Sequence, residues 1–203
     1  MKRNRTWIYV GVMVLAAAAA GYMVARQLQH QVPALQGGTA LPQPRSLARF
    51  ELTDHHGRAF GREQLAGKPS LVFFGFTHCP DVCPTTLALM AQLAREPALD
   101  GLRMLFITVD PARDDQAALR AYVEAFGPQL IGLRGEEAAL DPLLRDIGVA
   151  RSIHALPGGD YTVDHSATLF YLDRDGRLDA VFTPPFSLAP LRADLIALLR
   201  QRS

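Results

Sequence analysis

The sequence predicts an α/β sandwich of the thioredoxin type, with a central mixed sheet, preceded by one transmembrane helix. Three observations carry this expectation. Apolar strand-like runs alternate with helical patterns from Leu71 to Ile147. A hairpin and a closing amphipathic helix follow. Ahead of all this, Trp7 to Ala25 carries no charge.

The elements can be justified in order. Leu47 to Thr53 reads as a strand, His55-His56-Gly57 as a turn, and Ala59-Phe60 as the returning partner. Leu71 to Phe76 is a buried strand. Thr85 to Arg95 places Leu87, Met90, Ala91 and Ala94 on one helical face. Leu102 to Val109 is a second buried strand. Asp114 opens a helix that runs to Phe126 and stops at Gly127-Pro128. Leu130 to Leu133 is a short strand and Glu136 to Ile147 a helix. Ala167 to Leu172, the turn Asp173-Arg174-Asp175-Gly176 and Leu178 to Phe182 form a hairpin. Leu188 to Leu199 closes the domain.

These elements divide the chain into a membrane anchor over 1–26, a flexible tether over 27–45 and a globular domain over 46–203. As a helix, Trp7 to Ala25 would extend about 28 Å, close to the hydrocarbon thickness of a bilayer. Trp7, Tyr9 and Tyr22 sit near its ends, as interfacial aromatics do. Lys2, Arg3 and Arg5 precede it, so the positive-inside rule keeps the N-terminus in the cytoplasm and exports the domain. A cleaved signal peptide, cut near Ala18-Ala19-Ala20, is the competing reading, but the apolar run is long for a signal core. No Arg- and Ser-rich presequence precedes the run, which favours a bacterial inner membrane with the domain in the periplasm. Gln27 to Pro44 is rich in Gly and Pro and carries no carboxylate, as a tether would.

Charge excludes one class of function. The chain has 21 basic and 20 acidic residues, and beyond Arg26 the acidic ones predominate. Nucleic-acid binding needs a basic patch, and none is present in the pattern. Two cysteines are too few for a disulfide-stapled scaffold.

Those two, Cys79 and Cys83, lie in Phe74-Gly75-Phe76-Thr77-His78-Cys79-Pro80-Asp81-Val82-Cys83-Pro84, where a buried strand gives way to a helix N-terminus. Backbone N–H groups and the helix dipole stabilise thiolates there. The spacing is one residue wider than in the usual dithiol exchanger, so it permits a disulfide and also lets two sulfurs straddle a soft metal. Among the six histidines, His30 falls in the tether, His55 and His56 in a surface turn, and His154 in a Gly/Pro-bounded loop, all read as solvated. His78 follows an extended turn in which its side chain points away from that of Cys79. His165 differs: Asp164-His165-Ser166 is a polar cluster at the entrance of a buried strand, and such groups need partners.

Together, Gly75-Phe76-Thr77-His78-Cys79-Pro80-Asp81-Val82-Cys83-Pro84, Thr108-Val109-Asp110-Pro111-Ala112-Arg113-Asp114 and Val163-Asp164-His165-Ser166 resemble the Sco/SenC family, membrane-anchored copper proteins of cytochrome oxidase assembly. The resemblance runs from about Leu47 to Leu199. It implies that Cys79, Cys83 and His165 bind one copper, as Cu(I) or Cu(II), and that the partners are the copper-site subunit of a terminal oxidase and a copper donor protein. Asp110 and Asp114 are read as structural, a turn residue and a helix cap. Asp115 stands where that family commonly has Thr. Two thiolates and one imidazole suit Cu(I), whereas zinc prefers a fourth ligand. Thioredoxin-like exchangers carry a cis-proline facing their dithiol; His165-Ser166-Ala167-Thr168-Leu169 has no proline. The rival expectation is a thiol-disulfide reductase acting on the oxidase cysteines, with Cys79 and Cys83 as its redox pair. A sensor is a third reading, and a peroxidase fits poorly because no lone cysteine sits in a Thr-x-x-Cys turn.

Overall fold

A computed structural model describes residues 3–28 and 34–201. The chain divides into two units, Met1–Pro33 and Ala34–Ser203. In the first, helix α1 covers Arg3–Leu28, and its side chains from Gly11 to Met23 are exposed. Among the described residues no helix is long and apolar enough to cross a membrane. The helix expected over the anchor is thus present, while its spanning of a bilayer is not shown.

The second unit is built on an eight-stranded sheet. Its strands are β1 (Thr39–Ser46), β2 (Glu51–Asp54), β3 (Ala59–Gly61), β4 (Ser70–Gly75), β5 (Arg103–Thr108), β6 (Leu130–Arg134), β9 (Leu169–Leu172) and β10 (Arg177–Phe182). They lie in the order β1-β10-β9-β4-β5-β6-β2-β3. The central β4, β5 and β6 are parallel, and the flanking pairs are antiparallel, which gives the mixed sheet expected from the pattern. Helices α2 (Arg62–Leu65), α3 (Val82–Leu93), α4 (Gln116–Glu124), α5 (Glu137–Ile147) and α6 (Leu188–Gln201) complete the sandwich. A separate two-stranded ribbon joins β7 (Arg151–Ala155) to β8 (Tyr161–His165).

The core explains the order of the sheet. Every residue of β4 is buried, as a strand covered on both faces requires. Phe73 and Phe106 pair across β4 and β5, and Phe74 meets Phe170 edge-on at 5.7 Å. Helix α5 ends at Gly148, whose φ of +87° turns the chain so that the next N–H, that of Val149, also reaches the Leu144 carbonyl, at 2.8 Å.

Two boundaries differ from expectation. The tether was expected to reach residue 45, yet Thr39–Ser46 is an edge strand paired with β10. Pro42 and Pro44 fall within an irregular stretch between the Ala40 and Arg45 pairings, where prolines cost no ladder bond. The strand expected over Leu47 to Thr53 begins only at Glu51, although Leu47 and Phe50 are buried. Residues 29–33 of the expected tether, His30 among them, lie outside the described residues.

The topology then places the chemistry. Strands β4 and β5 run in parallel and end side by side at Gly75 and Thr108. Strand β9 runs the other way, with Leu169 opposite Phe73. The residues leading into β9 therefore lie beside the exit of β4.

Candidate metal centre

The chain leaves β4 at Phe76 and turns at once, with the Cys79 N–H donating to the Phe76 carbonyl at 3.3 Å. Helix α3 starts at Val82 without a cap from the Asp81 side chain. Instead the Cys83 N–H, one of the orphan donors of the first turn, points at the Cys79 sulfur at 3.4 Å. Cys79 is half-buried, Cys83 is fully buried, and the two are not joined in a disulfide. The absence of a side chain at Gly75 makes room for the second sulfur. A Cβ there would stand 2.9 Å from Cys83 Sγ and 2.8 Å from the Phe106 ring.

His165 is the last residue of β8. Its Nε2 lies 3.5 Å from Cys83 Sγ, and its Nδ1 lies 3.3 Å from the Ser166 carbonyl oxygen. A carbonyl only accepts, so in the neutral ring Nδ1 carries the proton and Nε2 turns a lone pair toward the sulfurs. Phe73 and Phe76 meet the imidazole edge-on, at 6.0 and 5.9 Å between centroids. One donor atom from each of Cys79, Cys83 and His165 falls within 4.8 Å of the others. The three residues could hold one soft metal ion between them.

The two sulfurs are not equivalent before a metal arrives. The Cys83 thiol, by hydrogen bonding to Cys79, draws the Cys79 thiol down to about 4. Burial opposes this, and hydrogen bonds from the backbone N–H groups of Cys83 and Asp81 add to it. Cys83 is pushed upward by the same shared hydrogen bond and by burial. The reduced pair is therefore one thiolate and one thiol. Bringing both sulfurs onto a metal releases the second proton.

A polar network supports the turn from behind. Asp114 is fully buried and accepts from the Thr77 N–H at 3.0 Å, the Thr77 hydroxyl at 2.6 Å and the Thr108 hydroxyl at 2.5 Å. It is structural, as expected, but it is not the cap of α4. That role belongs to Asp115, whose side chain accepts from the Ala118 N–H at 2.8 Å. Asp110 is buried and takes hydrogen bonds from Arg113 and Tyr161. His78 stands apart from the sulfurs, exposed, with Nδ1 3.0 Å from the Thr77 hydroxyl. Asp164 is exposed and pairs with His154 across the ribbon at 3.1 Å.

Two histidine expectations need correction. His154 sits in a strand, not a loop. His55 is buried, because its Nδ1 accepts the Gly132 N–H at 3.1 Å while its own N–H donates to the Gly132 carbonyl. His55, His56 and Glu124 form a second group with metal-ligand spacing. Its donor set is poor, since accepting at Nδ1 leaves the His55 proton on Nε2, and Glu124 is paired with Arg120 at 2.8 Å.

Sequence reasoning missed the β7–β8 ribbon, and with it Tyr161 and Arg113. Arg113 lies inside the Asp110-to-Asp114 motif, and a cation there beside two carboxylates was a visible signal.

Comparison with known proteins sets these features in context. Residues 39–200 match the SCO1/SenC family. The mitochondrial SCO2 homolog of Bos taurus is 36% identical over 191 residues, which span 91% of this chain and 70% of that protein. The structure of Bradyrhizobium japonicum ScoI with copper bound is 37% identical, with a TM-score of 0.67 over 78% of this chain and 100% of that one. Arabidopsis thaliana ScoI with copper bound is 29% identical, with a TM-score of 0.72 over 76% of this chain and 98% of that one.

Proposed function

The chain belongs to the SCO1/SenC family, and on that premise we propose that it binds one copper ion per chain through Cys79, Cys83 and His165. It delivers that ion to the copper-site subunit of a terminal cytochrome oxidase during assembly. The observation that carries the reading is the convergence of two sulfurs and one imidazole nitrogen within 4.8 Å. Soft sulfur donors favour Cu(I), and the nitrogen makes Cu(II) acceptable. Among the described residues no fourth His, Cys, Asp or Glu joins the group, which disfavours zinc. Copper is cargo here. A preformed thiolate at Cys79 receives it, and loss of the Cys83 proton completes the grip.

The same asymmetry favours a second reading. A thiolate at Cys79 backed by a buried thiol at Cys83 is the arrangement of a thiol-disulfide reductase, with the oxidase cysteines as substrate. The two readings separate at His165. Reduced protein is titrated with copper and, in parallel, assayed for reduction of a disulfide peptide carrying the oxidase cysteine spacing. A carrier loses Cu(II) binding on His165→Ala, and Cu(I) binding weakens less. A reductase keeps its activity without the imidazole.

The localisation proposed is a bacterial inner membrane, with helix α1 as anchor and the globular unit in the periplasm. Support comes from the uncharged run Trp7 to Ala25 and the basic residues ahead of it.

A further inference from the structure

A two-stranded ribbon is marginal by itself in water, so something else must fix where β8 ends. Strand β8 faces the body of the protein chiefly with alternate residues: Tyr161 and His165 are partly buried and Val163 is buried, while on the other face Thr162 is partly buried and Asp164 is exposed. His165 is thus held from one side by the strand's far end, and Tyr161 is the residue clamped there.

The clamp centres on Arg113. Its Nε donates to Asp110 Oδ2 at 2.6 Å, and the other oxygen of Asp110 accepts the Tyr161 hydroxyl at 2.8 Å. Its Nη1 donates to the Tyr161 carbonyl at 2.8 Å and to Asp160 at 3.1 Å. The guanidinium lies over the Tyr161 ring at 3.7 Å and over the Phe76 ring at 5.7 Å. Phe76 is in turn edge-on to His165. One planar cation therefore touches the exit of β4, the loop after β5 and the start of β8. Those are the segments that carry Cys79, Asp110 and His165.

We propose that Arg113 is a positioning residue for His165. Gripped by Asp110, stacked on Tyr161 and facing Phe76, it holds β8 at the height where the imidazole reaches the sulfurs. This rests on the reading of Cys79, Cys83 and His165 as the copper site. Lysine cannot take the role in full, because it lacks the flat face and the fork of donors.

The test uses the full chain with Arg113→Ala, Arg113→Lys, Tyr161→Phe and His165→Ala, each reduced and loaded with Cu(II) or Cu(I). The readouts are the Cu(II) electron paramagnetic resonance spectrum, both copper affinities, and amide hydrogen exchange of the metal-free protein. Arg113→Ala is expected to lower Cu(II) affinity by about 10- to 100-fold, as loss of an orienting partner does. It should also shift the spectrum toward that of His165→Ala and speed exchange across β7 and β8, with β4 and β5 unchanged. Arg113→Lys should fall between. Tyr161→Phe keeps the stacking and should stay near wild type in spectrum. A wild-type spectrum and affinity in Arg113→Ala, with His165→Ala altered, overturns the positioning role alone. If Arg113→Ala fails to fold, Arg113→Lys decides, and a wild-type spectrum there overturns it. A wild-type spectrum in His165→Ala removes the copper reading itself and this inference with it.

Discussion

Thr77 donates both its N–H and its hydroxyl to Asp114, across 37 positions of chain. The turn that carries Cys79 is thereby tied to the loop after β5. Asp114→Ala strands these two donors and the Thr108 hydroxyl in a buried site. The expected loss of stability is about 3 kcal/mol or more. Urea unfolding of the metal-free protein measures it, and a change within about 0.5 kcal/mol would contradict the account.

In reduced, metal-free protein the Cys79 thiol sits at about 4 instead of its ordinary 9.0. The thiolate is then present above about pH 4 and is lost only below it. Alkylation of Cys79 should therefore stay nearly level between pH 5 and pH 8, conditions under which an ordinary thiol gains about tenfold per pH unit. Cys83, shifted the other way and buried, should stay unmodified. Site-resolved mass spectrometry after brief iodoacetamide exposure reads both. A tenfold rise per unit at Cys79 contradicts the assignment.

Gly75→Ala drives a methyl between Cys83 Sγ and Phe106, both fully buried. Overpacking of this kind costs about 1–3 kcal/mol. Displacing the sulfur should also weaken copper binding. Competition with a chromophoric Cu(I) chelator measures the second effect, and unchanged affinity would show that the sulfur has room to move.

The proposed topology predicts that a reporter active only outside the cytoplasm, fused after Ser203, is active in a bacterial host. Activity of a cytoplasm-only reporter at the same junction would reverse the orientation.

Much of this was legible in the residues. Helices such as α3 and α5 announced themselves by apolar spacing, and β4 and β5 by unbroken apolar runs. The Cys79 and Cys83 pair was visible because its chemistry is local. His165 could be joined to it only through the family resemblance and the need of a polar cluster for partners. Which strand lies beside which is a property of the whole sheet, and the pairing of Leu169 with Phe73 leaves no mark in either segment. The β7–β8 ribbon was missed because β7 is exposed along nearly its whole length, so no burial period betrays it. Strand β1 hid behind its prolines, which an edge tolerates. His55 looked like a turn residue, and its burial depends on Gly132, 77 positions away.

Beside the two sulfurs lies a groove of about 250 Å³, bordered by Cys79, Pro80, Val82, Thr162 and His165. Cys83 is not on its rim. On the proposed copper reading the consequence is an order of release: an acceptor thiolate entering the groove would meet the Cys79 and His165 side first, so those bonds to copper would exchange early and the Cys83 bond would break last. On the reductase reading a partner disulfide entering there would be attacked by Cys79, releasing one partner thiol, and Cys83 would then displace the second to leave a Cys79–Cys83 disulfide. A Cys83→Ser variant should therefore accumulate a mixed disulfide at Cys79, while Cys79→Ser should trap nothing.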